Sequence, residues 1–208
     1  MLITEKKVIR INMYGILDNG DVIASFAAPM TVIDNTPTFG GDTLSLRRIV
    51  ERRPAQRWEI ETNLAPLSYD AQNLLAVLMV NGNSSSIGIR MPQNYGAKQA
   101  RTANDFITGT GSVSSTLVSL TGVSGLLPRG TFVKFSNHNK IYMTLTNLNG
   151  NGVVTVHPPL RTLVSGHNVA YRDDVDGFFY ADFDNIRGMS YVDGILMDLG
   201  RMRFLEVV

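Results

Sequence analysis

Residues 130–160, GTFVKFSNHNKIYMTLTNLNGNGVVTVHPPL, predict three short β-strands in succession. Asn and Gly dominate the segment between the second and third strands, and they supply the positive φ values that hairpin turns require. Pro158 and Pro159 end the third strand, because proline cannot donate a hydrogen bond to a β-ladder. The predicted strands cover residues 132–135, 141–146 and 153–157.

The middle strand alternates in polarity. Ile141, Met143 and Leu145 fall on one side, and Tyr142, Thr144 and Thr146 fall on the other. One face should therefore be apolar and the other mixed. This pattern is typical of a β-meander in the middle of a small barrel.

The composition excludes several classes of protein. With 208 residues the chain is long enough for one large domain or two small ones. It has no cysteine, which excludes disulfides, thiolate zinc sites and cysteine nucleophiles. Apolar runs stay well short of the roughly 18 residues of a membrane-spanning helix. The first residues lack the features of a secretory signal peptide.

Charge is distributed unevenly along the chain. The segment 93–172 holds seven basic residues and one acidic residue, out of totals of 19 and 18. Its formal charge of +6 contrasts with −5 for the remainder, although the whole chain carries only +1. A break of this kind indicates a module with its own surface.

The rest of the chain predicts further strands and one helix. Pro and Gly residues with little periodicity predict a long loop over residues 27–42. Residues 44–53 and 55–63 predict a strand pair around Pro54, with Trp58 as an apolar core anchor. The helix begins at the N-cap Ser68 and ends at Gly82. Other predicted strands cover residues 8–13, 22–26, 87–91, 116–120, 168–171, 177–183, 187–191 and parts of 194–208.

These elements predict a mainly β protein with one helix, of the α+β class. Residues 93–112 are polar and glycine-rich and predict the crossing into an inserted module. We expect a discontinuous β-domain, 1–92 plus 173–208, with an OB-like small β-barrel inserted at 93–172.

The sequence offers no catalytic, cofactor or metal site. His138, His157 and His167 lack metal-ligand spacing, so turn or surface positions are the favoured interpretation. Asp174 and Asp176 followed by Gly177 match a calcium loop only in part, and a solvated boundary loop fits them better. Phosphate loops, dinucleotide fingerprints and nucleophile elbows are absent, so we expect neither an enzyme nor a cofactor.

The basic module permits two interpretations. OB-type barrels bind single-stranded nucleic acid through a basic groove with stacking aromatics, and Phe132, Phe135 and Tyr142 lie among Lys134 and Lys140. In the other interpretation the phenylalanines fill the barrel and the lysines are solvated. We favour the second, because Phe132 and Phe135 share no obvious face with Tyr142.

Two stretches carry a resemblance to a known family. Residues 55–96, AQRWEIETNLAPLSYDAQNLLAVLMVNGNSSSIGIRMPQNYG, place a strand AQxWxI, a helix and a strand ending in MPQ in order. Residues 127–160 carry a later pattern at Gly130, His138, Lys140, Tyr142, Pro159 and Leu160. Over residues 55–208 the chain resembles the distal tail proteins (Dit family) of tailed bacteriophages, in the compact form with an OB-fold insert.

The resemblance implies a structural virion protein without catalytic residues. It implies a homohexameric ring at the distal end of the tail, which joins the tail tube to tail hub, tip or baseplate proteins. The protein would reside in the virion, and in the host cytoplasm during assembly. The alternative is a binding module that uses the basic insert for single-stranded nucleic acid or an anionic cell-surface glycan.

Strands near both ends of the chain are candidates for contact between subunits. Ile195, Met197 and Leu199 have a two-residue spacing and would share one face, and uncovered strand edges pair readily with a neighbour. A ring satisfies these edges through identical head-to-tail contacts. The predicted interface residues are Val8, Ile11, Met13, Ile195, Met197 and Leu199.

Overall fold

The computed structural model describes residues 15–18, 21–42, 45, 48–52, 55–66, 86–93, 107–171, 175–182, 190–192, 195–198 and 201–208. Within these ranges the protein is mainly β and contains no helix, which confirms the predicted predominance of strands. The helix predicted over 68–82 and the strand predicted over 8–13 lie outside the described residues.

Eighteen strands are described. They are β1 (Gly15–Asp18), β2 (Asp21–Asn35), β3 (Thr38–Asp42), β4 (Arg48–Arg52), β5 (Arg57–Pro66), β6 (Ile87–Arg90), β7 (Thr108–Gly111), β8 (Leu117–Thr121), β9 (Leu126–Leu127), β10 (Phe132–Phe135), β11 (Ile141–Thr144), β12 (Leu148–Asn149), β13 (Gly152–His157), β14 (Val164–Ala170), β15 (Asp176–Asp182), β16 (Ser190–Val192), β17 (Ile195–Asp198) and β18 (Arg201–Glu206).

Twelve of these strands close into two antiparallel barrels. The first barrel has the strand order β1-β2-β5-β18-β15-β6, and pairing between β1 and β6 closes it. The second barrel has the order β10-β11-β13-β8-β7-β14, consistent with an OB-like fold, and closes between β10 and β14. All strands of the second barrel come from within residues 93–172, whereas the first barrel draws on both sides of that segment.

The predicted loop over 27–42 is wrong. β2 continues to Asn35 and pairs with β5, with a register shift between Ala27 and Thr31. Pro29 lies inside that shift, where a bulge tolerates a residue without an N–H donor. The prolines and glycines that predicted a loop therefore mark a bulged strand followed by β3.

The predicted pairing around Pro54 is also wrong. β4 pairs with β3, and the two form a separate two-stranded sheet, the β3–β4 ribbon. β5 pairs instead with β2 and β18 of the first barrel. Both segments form strands, but β4 pairs with the strand that precedes it, and β5 pairs with strands that are not its neighbours along the chain.

The second barrel contains a strand that the sequence assigned to the glycine-rich crossing. β7 carries Gly109 and Gly111, and both glycines lie against core side chains. A Cβ atom on Gly109 would lie 2.6 Å from the Phe135 ring, and one on Gly111 would lie 2.6 Å from Leu160 Cδ1. Because no real Cβ fits at that distance, these glycines are a packing requirement and not a sign of a loop.

The two barrels share a core, because strands β10 and β11 bury both of their faces. Tyr142 and Phe135 point into the core of the second barrel. Their neighbours Ile141 and Phe132 belong instead to the core cluster of the first barrel. The apolar face that the sequence predicted for β11 therefore does not point into the interior of the second barrel. It packs against the first barrel.

Trp58 is the centre of that shared core, which confirms its predicted role as an anchor. Its side chain is buried, and its ring meets the Phe132 ring edge-on at a centroid distance of 5.4 Å. The indole Nε1 donates a hydrogen bond to the Ile141 carbonyl oxygen at 2.8 Å. One side chain of the first barrel thus contacts both β10 and β11.

We predict that Ile141→Ala lowers the free energy of unfolding by about 2–5 kcal/mol, because it opens a cavity in the shared core. Urea denaturation followed by tryptophan fluorescence measures the change. The matched control is Val153→Ala on β13, whose side chain is 56% exposed and whose truncation should change stability by no more than about 0.5 kcal/mol. Equal effects in the two variants would contradict the shared core.

Candidate functional site: the junction between the barrels

A buried carboxylate joins three strands at the junction. Glu206 of β18 accepts hydrogen bonds from the backbone N–H of Trp58 at 2.9 Å and of Ile141 at 2.8 Å. It also pairs with the Lys140 ammonium group. Glu206 and Lys140 are both 3% exposed, so the ion pair is enclosed. A buried charge is tolerated only where partners satisfy it, and here these partners come from both barrels.

Sequence reasoning missed Glu206 although a signal was present. In β18 the buried positions alternate, and Met202, Phe204 and Glu206 fall on the same face. An acidic residue in register with two apolar core residues indicates a buried carboxylate that needs partners. For its partner Lys140 the sequence favours a solvated surface position instead, and this prediction is wrong.

Other basic side chains of the insert also contact the first barrel. Lys134 Nζ donates a hydrogen bond to the Asp176 carbonyl oxygen at 2.9 Å and lies 5.3 Å from the centre of the Phe178 ring. Arg161 Nη2 donates to the Gln56 carbonyl oxygen. Some of the basic side chains that indicated a separate binding surface therefore form hydrogen bonds to the first barrel instead.

The aromatic residues proposed for stacking do not form a platform. Phe132, Phe135 and Tyr142 are 8%, 1% and 0% exposed, so none presents a ring face to a ligand. Filling of the inserted barrel is confirmed for Phe135, but Phe132 packs in the core cluster of the first barrel instead. Solvation of the lysines is wrong for Lys140, which is buried.

A cleft of about 590 Å³ opens between the barrels. A volume of this size is typical of small-ligand sites, which occur preferentially at domain interfaces. The first barrel and its extension contribute Thr36 and Gln56. The second barrel contributes Val113, Ser114, Thr116, His157, Pro158, Pro159, Leu160 and Arg161.

One wall of the cleft is fixed by a hydrogen bond between the two halves of the molecule. His157 Nε2 lies 2.8 Å from Asp34 Oδ2, and the Thr36 hydroxyl donates to Asp34 Oδ1 at 2.9 Å. Partial burial raises the pKa of Asp34, but side-chain hydrogen bonds and the nearby His157 outweigh it and hold that pKa below its ordinary value. Asp34 is therefore ionised at neutral pH and keeps His157 in place.

The Gln56 carboxamide is the unusual group of the cleft. The side chain is only 3% exposed, yet neither its nitrogen nor its oxygen has a hydrogen-bond partner within the described part of the chain. It lies near enough to Asp34 to help lower the pKa of that carboxyl, but outside hydrogen-bond geometry. Buried amides without partners are rare in native proteins. Both amide atoms of Gln56 are almost fully enclosed by the protein.

The histidines do not form a cluster. His138 is within 2.8 Å of both the Tyr142 hydroxyl and Asn137 Oδ1, and His157 pairs with Asp34. Across the described residues, no group of three His, Asp or Glu side chains could hold a metal ion. In the acidic stretch, Asp176 is engaged by Arg90 at 2.8 Å and 3.0 Å, and Asp173 and Asp174 lie outside the described residues.

The predicted interface residues cannot be placed as a surface. Ile195 and Met197 lie in β17, which pairs with β16 in a separate two-stranded sheet. Val8, Ile11, Met13 and Leu199 lie outside the described residues. Their role in assembly stays a prediction.

No protein-family model matches this chain, and no curated protein sequence is significantly similar to it. Among the described residues, no helix is both long enough and apolar enough to cross a membrane.

We predict that Glu206→Ala destabilises the protein by about 3–5 kcal/mol, because it leaves Lys140 and two backbone N–H groups buried without their acceptor. The control is Glu61→Ala, which removes an ion pair with Arg201, a side chain that is 69% exposed. Such a surface pair contributes about 0–1 kcal/mol. Urea unfolding of both variants tests the difference, and a mild effect of Glu206→Ala would show that the junction is not held by this carboxylate.

Stability should also depend on pH through Lys140. Burial lowers the pKa of this lysine from 10.5 to about 8, against the opposing attraction of Glu206. Above that value the folded chain has lost a proton that the unfolded chain still holds, so the free energy of unfolding rises with pH. The expected slope is at most about 1.4 kcal/mol per pH unit, between about pH 8 and 10.5.

Urea unfolding of the wild type and of Lys140→Met at several pH values in this window measures that slope. The variant is less stable overall, but it should lack the part of the slope that comes from Lys140. Identical slopes in the two proteins would contradict the titration of Lys140.

Proposed function

We propose that this chain is a non-catalytic structural protein of a bacteriophage tail tip. In this proposal it forms a closed ring that joins the tail tube to tip or baseplate proteins. The first barrel faces the channel of the ring and the inserted barrel projects outward. The ring contains six copies in this proposal. Both this number of subunits and the location in the virion come from the family resemblance over residues 55–208.

The observation that carries an assembly role is the β3–β4 ribbon. Its two strands pair only with each other in the described part of the chain, and Phe39 within it is 62% exposed. An isolated two-stranded sheet is marginally stable in water, so such a ribbon gains stability from a surface that covers it. A neighbouring subunit offers that surface in a head-to-tail ring.

The junction supports the same proposal. The ion pair of Glu206 and Lys140, the shared core and the Asp34–His157 contact fix the second barrel against the first. A structural ring benefits from subunits whose two parts keep one orientation, because each copy must present the same surfaces to its neighbours. The buried aromatics do not favour the alternative of nucleic-acid binding through stacking.

We predict that Phe39→Ser weakens self-association without lowering the melting temperature. Size-exclusion chromatography with light scattering and electron microscopy of the purified protein measure assembly. Val153→Ser is the control, because that side chain is 56% exposed but lies on the inserted barrel.

Ring contacts can be weak without a template, so the same variants are also compared in assembled particles. A reconstruction that contains a single copy of the protein, or places the inserted barrel in the lumen, would contradict the proposal.

A further inference from the structure

A chain of side-chain hydrogen bonds connects the turn between β10 and β11 to the segment that follows β13. Asn137 Nδ2 donates to the Leu163 carbonyl oxygen at 2.8 Å, and Asn137 Oδ1 lies 2.8 Å from His138 Nδ1. His138 Nε2 lies 2.8 Å from the Tyr142 hydroxyl, which accepts a hydrogen bond from the Arg161 N–H at 3.1 Å. These contacts hold that segment against the second barrel.

The partners of His138 determine which of its ring nitrogens carries a proton. Because the Asn137 amide nitrogen donates to Leu163, its amide oxygen faces His138 as an acceptor, and Nδ1 must hold a hydrogen. Tyr142 is 0% exposed, and the described residues offer its hydroxyl hydrogen no acceptor other than His138 Nε2. The hydrogen bonds are therefore all satisfied by a neutral His138 with its proton on Nδ1.

A second proton on His138 would remove the acceptor that the Tyr142 hydroxyl needs. Nε2 would then be a donor, and the hydroxyl hydrogen of the buried Tyr142 would lose its partner in the described part of the chain. Leaving a buried polar group without a partner is unfavourable, so the hydrogen-bond chain must rearrange when His138 becomes charged.

The surroundings of His138 also disfavour a positive charge. The ring is partly buried and stacks on the Phe135 ring at a centroid distance of 5.9 Å. Burial lowers the pKa of His138 below its ordinary value of 6.5, and the neighbouring basic groups lower it further. The closed segment therefore binds this proton less readily than an open one does, and it loses stability as the pH falls below about 6.5.

Charged and titratable groups surround His138 and Tyr142 from several elements. They are Lys134, Lys140, His167, Arg161 and Glu206. Glu206 is the one acidic member of this set, and it is already paired with Lys140. No member of the set therefore stabilises an imidazolium at His138.

Arg161 connects this chain of hydrogen bonds to the first barrel. Its backbone N–H is held by Tyr142, and its guanidinium donates to the Gln56 carbonyl oxygen just before β5. Arg161 and Leu160 also line the cleft between the barrels. Displacement of this segment would therefore loosen one contact between the barrels and one wall of the cleft.

We propose that His138 is a pH-sensitive latch for residues 160–163. Neutral His138 accepts the Tyr142 hydroxyl hydrogen and keeps the segment closed. Protonation of His138 releases the segment together with the Arg161 contact to the first barrel. The latch lies within one chain, so it holds or fails independently of ring formation and of the proposed function.

NMR spectroscopy of the ¹⁵N-labelled full-length protein tests the latch, from about pH 7.5 to about pH 4.5, a range that spans histidine titration. Long-range ¹H–¹⁵N spectra of the imidazole rings report the tautomer and charge of His138, and His138→Gln assigns its signals. Hydrogen exchange of the Arg161 amide, corrected for the intrinsic effect of pH, reports whether the segment is closed. Exchange of the Val118 amide in the core of the second barrel reports global opening.

We expect the Nδ1–H tautomer at neutral pH. Protection of the Arg161 amide should fall at least about fivefold as His138 becomes charged, as loss of one hydrogen bond implies, while Val118 keeps its protection. His138→Gln supplies an acceptor that does not titrate, so the Arg161 amide should stay protected across the pH range. The matched control is His167→Gln, which removes another histidine of the barrel and should retain the pH effect.

The wild-type spectra alone can overturn the proposal. They do so if the neutral ring carries its proton on Nε2, if His138 stays neutral until the protein unfolds, or if the Arg161 amide stays protected while His138 is charged. Joint loss of protection at Arg161 and Val118 would show that acid weakens the whole barrel, which would also overturn it. So would a pH effect that persists in a folded His138→Gln variant.

Discussion

The Glu206 carboxylate is the constraint on which the arrangement of the two barrels depends. A carboxylate that is 3% exposed is costly unless its oxygens are occupied, and its partners here are Lys140 and the N–H groups of Trp58 and Ile141. Those partners lie on one strand of the first barrel and at the start of β11 in the second. The carboxylate is therefore satisfied only when the barrels meet in this one orientation, which also sets the walls of the cleft.

This arrangement changes the meaning of the charge along the chain. The excess of basic residues in 93–172 indicates a binding module when only the sequence is considered. In the structure, Lys134, Lys140 and Arg161 contact the first barrel, so this part of the excess contributes to cohesion. In the proposed function, contact with a neighbouring subunit falls to a feature of another kind, namely the exposed β3–β4 ribbon around Phe39.

Local patterns in the sequence predict most strands but not their partners. Alternation over β11, β13 and β15 is a property of consecutive residues, and the predicted strands there match the structure. Whether Ile141 or Tyr142 faces the barrel interior depends on what covers the outer face, and that partner is distant in sequence. The same limit explains the missed β7, whose glycines make room for Phe135, and the misread 27–42 segment. Gln56 could not be found at all, since its environment exists only where the two barrels meet.

Native-state hydrogen exchange at the junction tests the central claim most directly. If the barrels form one cooperative unit, the amides of Trp58 and Ile141, which donate to Glu206, open with the same free energy as central core amides of both barrels, such as those of Phe204 and Val118. Exchange of the two junction amides at a much lower free energy than that of either core would show that the barrels separate before they unfold, which would contradict the account.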